Sequence, residues 1–272
     1  MDKRRARLIC SVTTPIKFST KTFQFLVKAG RQKNPTWLDR NRVEYEKVLL
    51  EPLKNLACEL KKDLYRLAPS YNFPQKGIGR IKRSSHYVEE RGGALYKNWM
   101  TYSASRPRTS RFEHNPNLFF LINTEDCEDP VLVAGGLYMP SSRQTRALRE
   151  AIAQDASAFD ALFAAKDFRR SFPDGFSSER ISSRLTRGFE PNHPRMDWLR
   201  LQAFFVWRPY TKKEFHSADF PKLVSRDFKQ VLRLNELIEK ALIGQLPSKA
   251  KRESKLSDRF GTVEHFKPKM DF

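Results

Sequence analysis

Leu118-Phe119-Phe120-Leu121-Ile122-Asn123, then Thr124-Glu125-Asp126-Cys127-Glu128-Asp129-Pro130, then Val131-Leu132-Val133-Ala134-Gly135-Gly136-Leu137-Tyr138-Met139 is the stretch on which the fold turns. Two runs dense in β-branched and aromatic residues, separated by an acidic turn ending in proline, predict an antiparallel hairpin. Strand-like segments flank it at Ile78 to Arg83, Trp99 to Ser105 and, far downstream, Leu201 to Trp207. Together they predict one antiparallel sheet. The four carboxylates of the turn could ligate a hard cation. They lack the spaced ligands and the glycine of a calcium loop, which favours a solvated loop.

The remaining segments carry helical periodicity. Phe23, Phe25, Leu26 and Ala29 suit a short helix capped near Ser19 or Thr20. From Trp37 to Leu67 apolar residues recur at steps of three and four, and Pro52 kinks or splits that helix. The cluster Ala68-Pro69-Ser70-Tyr71-Asn72-Phe73-Pro74 ends it. Ser141-x-x-Gln144 is a capping box that opens a helix burying Leu148, Ala151 and Ile152, and a short helix follows around Ser157 to Ala165. Asp219-Phe220-Pro221 introduces a last helix that runs through Leu223, Val224, Phe228, Val231, Leu234, Ile238, Ala241 and Leu242 and stops at Gly244. Strands on both sides of a helical insert predict a single α+β domain over 18–244, its central antiparallel sheet packed against N-terminal, middle and C-terminal helices. A basic arm, 1–17, precedes it. A basic tail, 245–272, rich in Lys, Ser and Pro, follows it and reads as flexible.

With 51 Lys and Arg against 31 Asp and Glu in 272 residues, the chain carries a formal +20. Such a surface favours nucleic acid, anionic lipid or phosphorylated ligands through long-range attraction that salt weakens. Cys10, Cys58 and Cys127 form no CxxC pair or Cys/His cluster, which argues against a zinc site or disulfide framework and for a reducing compartment, the cytoplasm. No apolar run reaches the roughly 20 residues that span a bilayer. No cofactor fingerprint is found either: Gly77-Ile78-Gly79 lacks the third glycine and the helix start of a dinucleotide loop.

The candidate site is the stretch where basic residues stand between glycines and aromatics: Arg80, Arg83, His86 and Lys97, with Tyr87, Tyr96, Trp99 and Tyr102 interleaved and Arg106, Arg108 and Arg111 beyond. Converging arginines hold a phosphate or carboxylate bidentately, with lysine as a point charge. On a flat strand Arg80 and Arg83 would face opposite sides, so a bulge or strand end near Gly79 or Ser84 is required to bring them together. The alternative is that they pair with helix carboxylates such as Glu44 or Glu51. Trp99 reads as core, whereas the tyrosines suit core packing and base stacking about equally. His86, without a Ser, Cys or Asp to complete a catalytic set, reads as exposed or stacked. His193, before Pro194, suits a turn or hydrogen-bonding role.

Phe23-x-Phe25-Leu26, Trp37-Leu38-x-x-Asn41-x-x-x-Tyr45 with Glu51-Pro52, Arg187-Gly188-Phe189 with His193-Pro194, and the strand ending Val206-Trp207-Arg208 resemble the domain of unknown function 2461 family of mostly bacterial proteins, over roughly Phe18 to Gly244. In that family's Arg-x-x-Arg-Asp-x-Arg-Phe signature, Arg80 and Arg83 fit the first two arginines. Ser84 stands for the acid, His86 for the third arginine and Tyr87 for the phenylalanine; Lys97 fits the following lysine and Met100 falls where a tyrosine would be. The resemblance implies the fold and a basic pocket without the acid, and no activity. Three functions stay open: a cytoplasmic protein that binds nucleic acid or another polyanion through a basic face; an enzyme acting on a small phosphorylated or carboxylated substrate, anchored by Arg80, Arg83 and Lys97 with His86 moving a proton; and an assembly subunit.

Overall fold

The computed structural model describes residue 16 and residues 18–73, 77–91, 93–108, 113–124, 130–184 and 188–246. The hairpin is present. β1 (Trp99–Ser105), β2 (Asn117–Asn123), β3 (Val131–Leu137) and β4 (Phe204–Tyr210) form an antiparallel sheet in that spatial order. Strand alternation sends Met100, Tyr102, Ala104, Leu118, Phe120, Ile122, Val131, Val133, Val206 and Tyr210 into the main core. The acidic turn, the basic arm and nearly all of the tail lie outside the described residues.

The helices cover that one face. α1 (Thr20–Ala29), the short turns α2 (Trp37–Arg40) and α3 (Arg42–Tyr45), and α4 (Glu51–Leu64) lie N-terminal to the sheet. α5 (Ser85–Arg91), which no periodicity announced, precedes β1. α6 (Ser142–Gln154), α7 (Ser157–Ala164), α8 (Lys166–Ser171) and α9 (Met196–Leu199) separate β3 from β4. α10 (Lys212–His216) and the long α11 (Phe220–Leu242) follow. α11 lies against β3 and β2 and also touches α4 and α6, burying Val224, Phe228, Val231, Leu234 and Ile238. Gly244, at φ +68°, follows its last turn in the left-handed conformation that glycine adopts at little cost.

The capping box of α6 is formed: Gln144 N donates to Ser141 Oγ at 3.2 Å, and Ser141 N to Gln144 Oε1 at 3.0 Å. The last strand begins three residues later than its apolar run, because Leu201 is engaged in a bridge to Ile181. Leu67, counted with the buried stripe of the second helix, is exposed, since α4 ends at Leu64. Cys58 is disulfide-bonded. No helix among the described residues is long and apolar enough to cross a membrane.

Pro52 splits the second helix in a specific way. A five-residue π-helical turn, Glu46–Leu50, runs straight into α4, whose first turn holds the proline. In an α-helix the carbonyl of Val48 would accept from the N–H of residue 52, which proline lacks. The buried Thr22 hydroxyl of α1 donates to it instead, at 2.8 Å. Thr22→Val keeps the shape and leaves that carbonyl unpartnered. We expect it to cost about 1–3 kcal/mol in denaturant unfolding, and no loss at all would show that water or the π turn already satisfies Val48.

Candidate anion-binding site at the sheet edge

Residues 77–83 run antiparallel beside β1 without forming a regular strand. Ile78 bridges Tyr102, and Gly79 N donates to Thr101 O at 2.8 Å. Lys82 bridges Tyr96, Lys97 N donates to Ile81 O at 2.8 Å, and Arg83 N donates to Leu95 O at 2.9 Å. From 78 to 82 is four steps whereas from 96 to 102 is six, so two extra residues bulge out of the facing chain. The bulge replaces the expected strand at Ile78 to Arg83 with a bent edge, and it lies in the facing chain rather than near Gly79 or Ser84, where convergence of Arg80 with Arg83 would need it. Ile81, 3 % exposed, pins the edge to the core.

The bend brings Arg83 and Lys97 together. The Arg83 guanidinium lies 4.7 Å from the Tyr87 ring centre, with Nε 3.4 Å from Tyr96 O. Lys97 Nζ lies 4.2 Å over the Trp99 ring. Burial lowers the Lys97 pKa below its ordinary value, and repulsion from Arg83 lowers it further. Arg80 is exposed, and no hydrogen bond or ion pair holds it among the described residues. His86 sits on α5 with Nε2 3.5 Å from Glu90 Oε1, its side chain 79 % exposed. No contact among the described residues joins Arg80 or His86 to the Arg83–Lys97 pair. The pairing with Glu44 or Glu51 is not formed; Glu44 faces Lys28, at 4.0 Å.

The aromatics divide differently from their reading in sequence. Tyr96 and Tyr102 are core, and the Tyr96 hydroxyl donates to Pro35 O at 2.7 Å. Trp99, expected in the core, is only half-buried, on the sheet face away from the helices. Its partner across the strands is Asn123. Strand alternation explains the exchange: Met100, Tyr102 and Ala104 point to the helices, so Trp99 cannot.

Two further polar clusters are structural. Asp227 of α11, fully buried, accepts from Ser171 Oγ (2.6 Å) and Arg226 Nε (2.9 Å) on Oδ1, and from Tyr210 Oη (2.6 Å) and Arg208 (2.8 Å) on Oδ2. A carboxylate has about four lone-pair positions, and all are filled, so none is left for a ligand. His193 accepts from Arg195 N on Nδ1 at 3.0 Å and donates from Nε2 to Ala153 O at 3.2 Å, the turn role expected of it.

A cleft of about 1070 Å³ lies where the C-terminal half of α11 meets the ends of α4 and β1 and the start of α6. In it Arg106 Nε lies 2.9 Å from Glu239 Oε1, and its guanidinium is 5.8 Å from the Tyr71 ring. Burial raises the Glu239 carboxyl above its ordinary range while Arg106 opposes the rise. Tyr71 also accepts from the buried Asn235 Nδ2 at 3.1 Å. The sequence announces neither bond, because Arg106 and Glu239 lie 133 residues apart, Tyr71 and Asn235 164, and they share no motif.

A family model described as a conserved hypothetical protein (DUF2461) matches residues 21–236, from α1 to within α11. No curated protein and no solved structure matches the chain. The match takes in the opening helices, the bent edge with Arg83 and Lys97, the whole sheet and most of the last helix: the chain belongs to the DUF2461 family.

Proposed function

We propose that the protein binds an anionic, phosphate-rich partner at the bent sheet edge, with Arg83 and Lys97 at the centre and Arg80 and His86 at the margin. The observation that carries this reading is the pairing of two like charges, half-buried side by side over aromatic rings, with no ion pair to a carboxylate among the described residues. Such an arrangement disfavours its own charged form, and an anion between the two cations removes the penalty. None of the four residues lines any of the three clefts at α11, the open sheet face or α6, which supports an open surface over an enclosed catalytic pocket.

Binding is tested by titrating labelled single-stranded RNA and DNA into the protein at about 50 and 200 mM salt, with the log of affinity falling linearly in log salt. Arg83→Glu and Lys97→Glu should each weaken binding and reduce the salt slope by about one. The pH dependence has a definite sign. Lys97 is protonated less readily in the free protein than an ordinary lysine, so affinity falls as pH rises through its lowered pKa, below 10.5. An affinity and salt slope indifferent to both reversals would sink the proposal.

A further inference from the structure

Among the described residues no helix covers the face of the sheet away from the main core, and that face is strongly apolar. Phe119, Leu121, Leu132, Ala134, Phe205 and Trp207 line a shallow cavity of about 520 Å³ there. Ala134, Ala203 and Phe205 form a cluster separate from the main core. Trp207 is 38 % exposed, where a tryptophan would ordinarily be covered. Register gives this face a definite pattern. Ala134 on β3 stands opposite Phe119 on β2 and opposite Trp207 on β4, so one cross-strand row reads aromatic, small, aromatic. Strands lie about 4.8 Å apart, which leaves roughly 10 Å between the two ring-bearing strands, room for one planar ring over the alanine.

We infer that this face is a stacking platform for unpaired bases of single-stranded nucleic acid. The inference rests on the anion-binding reading above and names its partner. Charge complementarity argues for this occupant. Trp99 shows itself on the same face as Phe119, four residues along β1 from the position opposite it, or about 13 Å at strand rise. Above Trp99 sits Lys97, and beside Lys97 is Arg83, so a basic edge adjoins the aromatic floor. At another rim of the cavity the Arg180 guanidinium lies 5.2 Å from the Tyr138 ring. A strand whose bases stack on the floor would carry its phosphates along these cations, the arrangement by which open sheets hold unpaired RNA or DNA. Duplex, whose bases are already stacked, gains nothing from the floor.

The full chain is titrated with a labelled single-stranded RNA, the matching DNA and a duplex of equal length, using the wild type, Phe119→Ala, Trp207→Phe, Trp207→Leu and the Arg83→Glu/Lys97→Glu double variant. Both ring positions lie outside the main core, and thermal unfolding verifies that each variant folds. Trp207→Leu and Phe119→Ala should each weaken single-strand binding about tenfold without changing the salt slope. Trp207→Phe, which keeps a π-face, should retain most of the affinity, and duplex should bind more weakly than single strand. If the double reversal abolishes binding while the ring variants leave it intact, or if duplex binds equally well, the platform is overturned and the anion site stands. If single strands do not bind the wild type at all, both readings fail. Sedimentation that shows a dimer lost in Trp207→Leu, with no effect on nucleic acid, would assign the face to a second copy of the chain and overturn the inference.

Discussion

Asp227→Ala is expected to be among the most damaging single substitutions, lowering stability by about 3–5 kcal/mol and the melting temperature by roughly 10 °C. The carboxylate is fully buried and accepts from four side chains on α8, β4 and α11 itself. Removing it leaves the Tyr210 hydroxyl without its acceptor in the core and Arg208 with Glu214, at 2.6 Å, as its one remaining carboxylate among the described residues. Burial and the adjacent Asp227 carboxylate both raise the Tyr210 pKa well above its ordinary value, so the phenol stays neutral and acts as a donor. A double variant with Tyr210→Phe should cost less than the sum of the two single changes, because each already removes the same hydrogen bond. Chemical denaturation of the four proteins measures this. A loss below about 0.5 kcal/mol for Asp227→Ala would mean that the network does not tie α8, β4 and α11 together.

Gly135→Ala is the second large effect, and it tests how α11 reaches the sheet. A β-carbon at residue 135 would stand 2.0 Å from Val231 Cγ1 and 2.7 Å from the Asn117 carbonyl oxygen. The first clash is with a side chain and the second with backbone fixed in the β1–β2–β3 ladder, so only one of them can be relieved. We expect a cost of roughly 3 kcal/mol. Val231→Ala in the same chain should recover part of it and not all. Full recovery would show that the helix, rather than the carbonyl, sets the limit; no cost at all would show that α11 does not lie so close to β3. The glycine is therefore read as a packing requirement. The chain needs no backbone freedom at residue 135, where φ is ordinary; Gly136, at φ +118°, is the position in β3 that needs it.

Those two positions mark the boundary of what could be read in advance. The α11 stripe from Val224 to Leu242, the capping box at Ser141 and Gln144, and the three consecutive strands follow from periodicity and short-range hydrogen bonding, and all are present. α5 was not legible, since seven residues with three charges and a histidine show no buried stripe. Leu67 by helical spacing and Trp99 as a strand aromatic read as core, and helix length and strand parity decide otherwise. For the site, the spacing of Arg80 and Arg83 asks for a bulge near Gly79 or Ser84 if the two are to converge, whereas the extra residues fall on the facing chain and Arg80 lies outside the Arg83–Lys97 pair, which no spacing could say.

The amino-acid sequence by itself determined the α+β layering, the order of its elements and the excess of positive charge. These depend on neighbours within a turn or a strand pair, where steric and hydrogen-bonding preferences act locally. Only the tertiary structure decided that Arg83 and Lys97 lie together, that Phe119, Ala134 and Trp207 share one row of an uncovered face, and that Asp227 is saturated by donors from three elements. Apart from the neighbours Arg226 and Asp227, those groupings join residues 14 to 88 positions apart, and strand register and close packing, which no local preference encodes, bring them within contact.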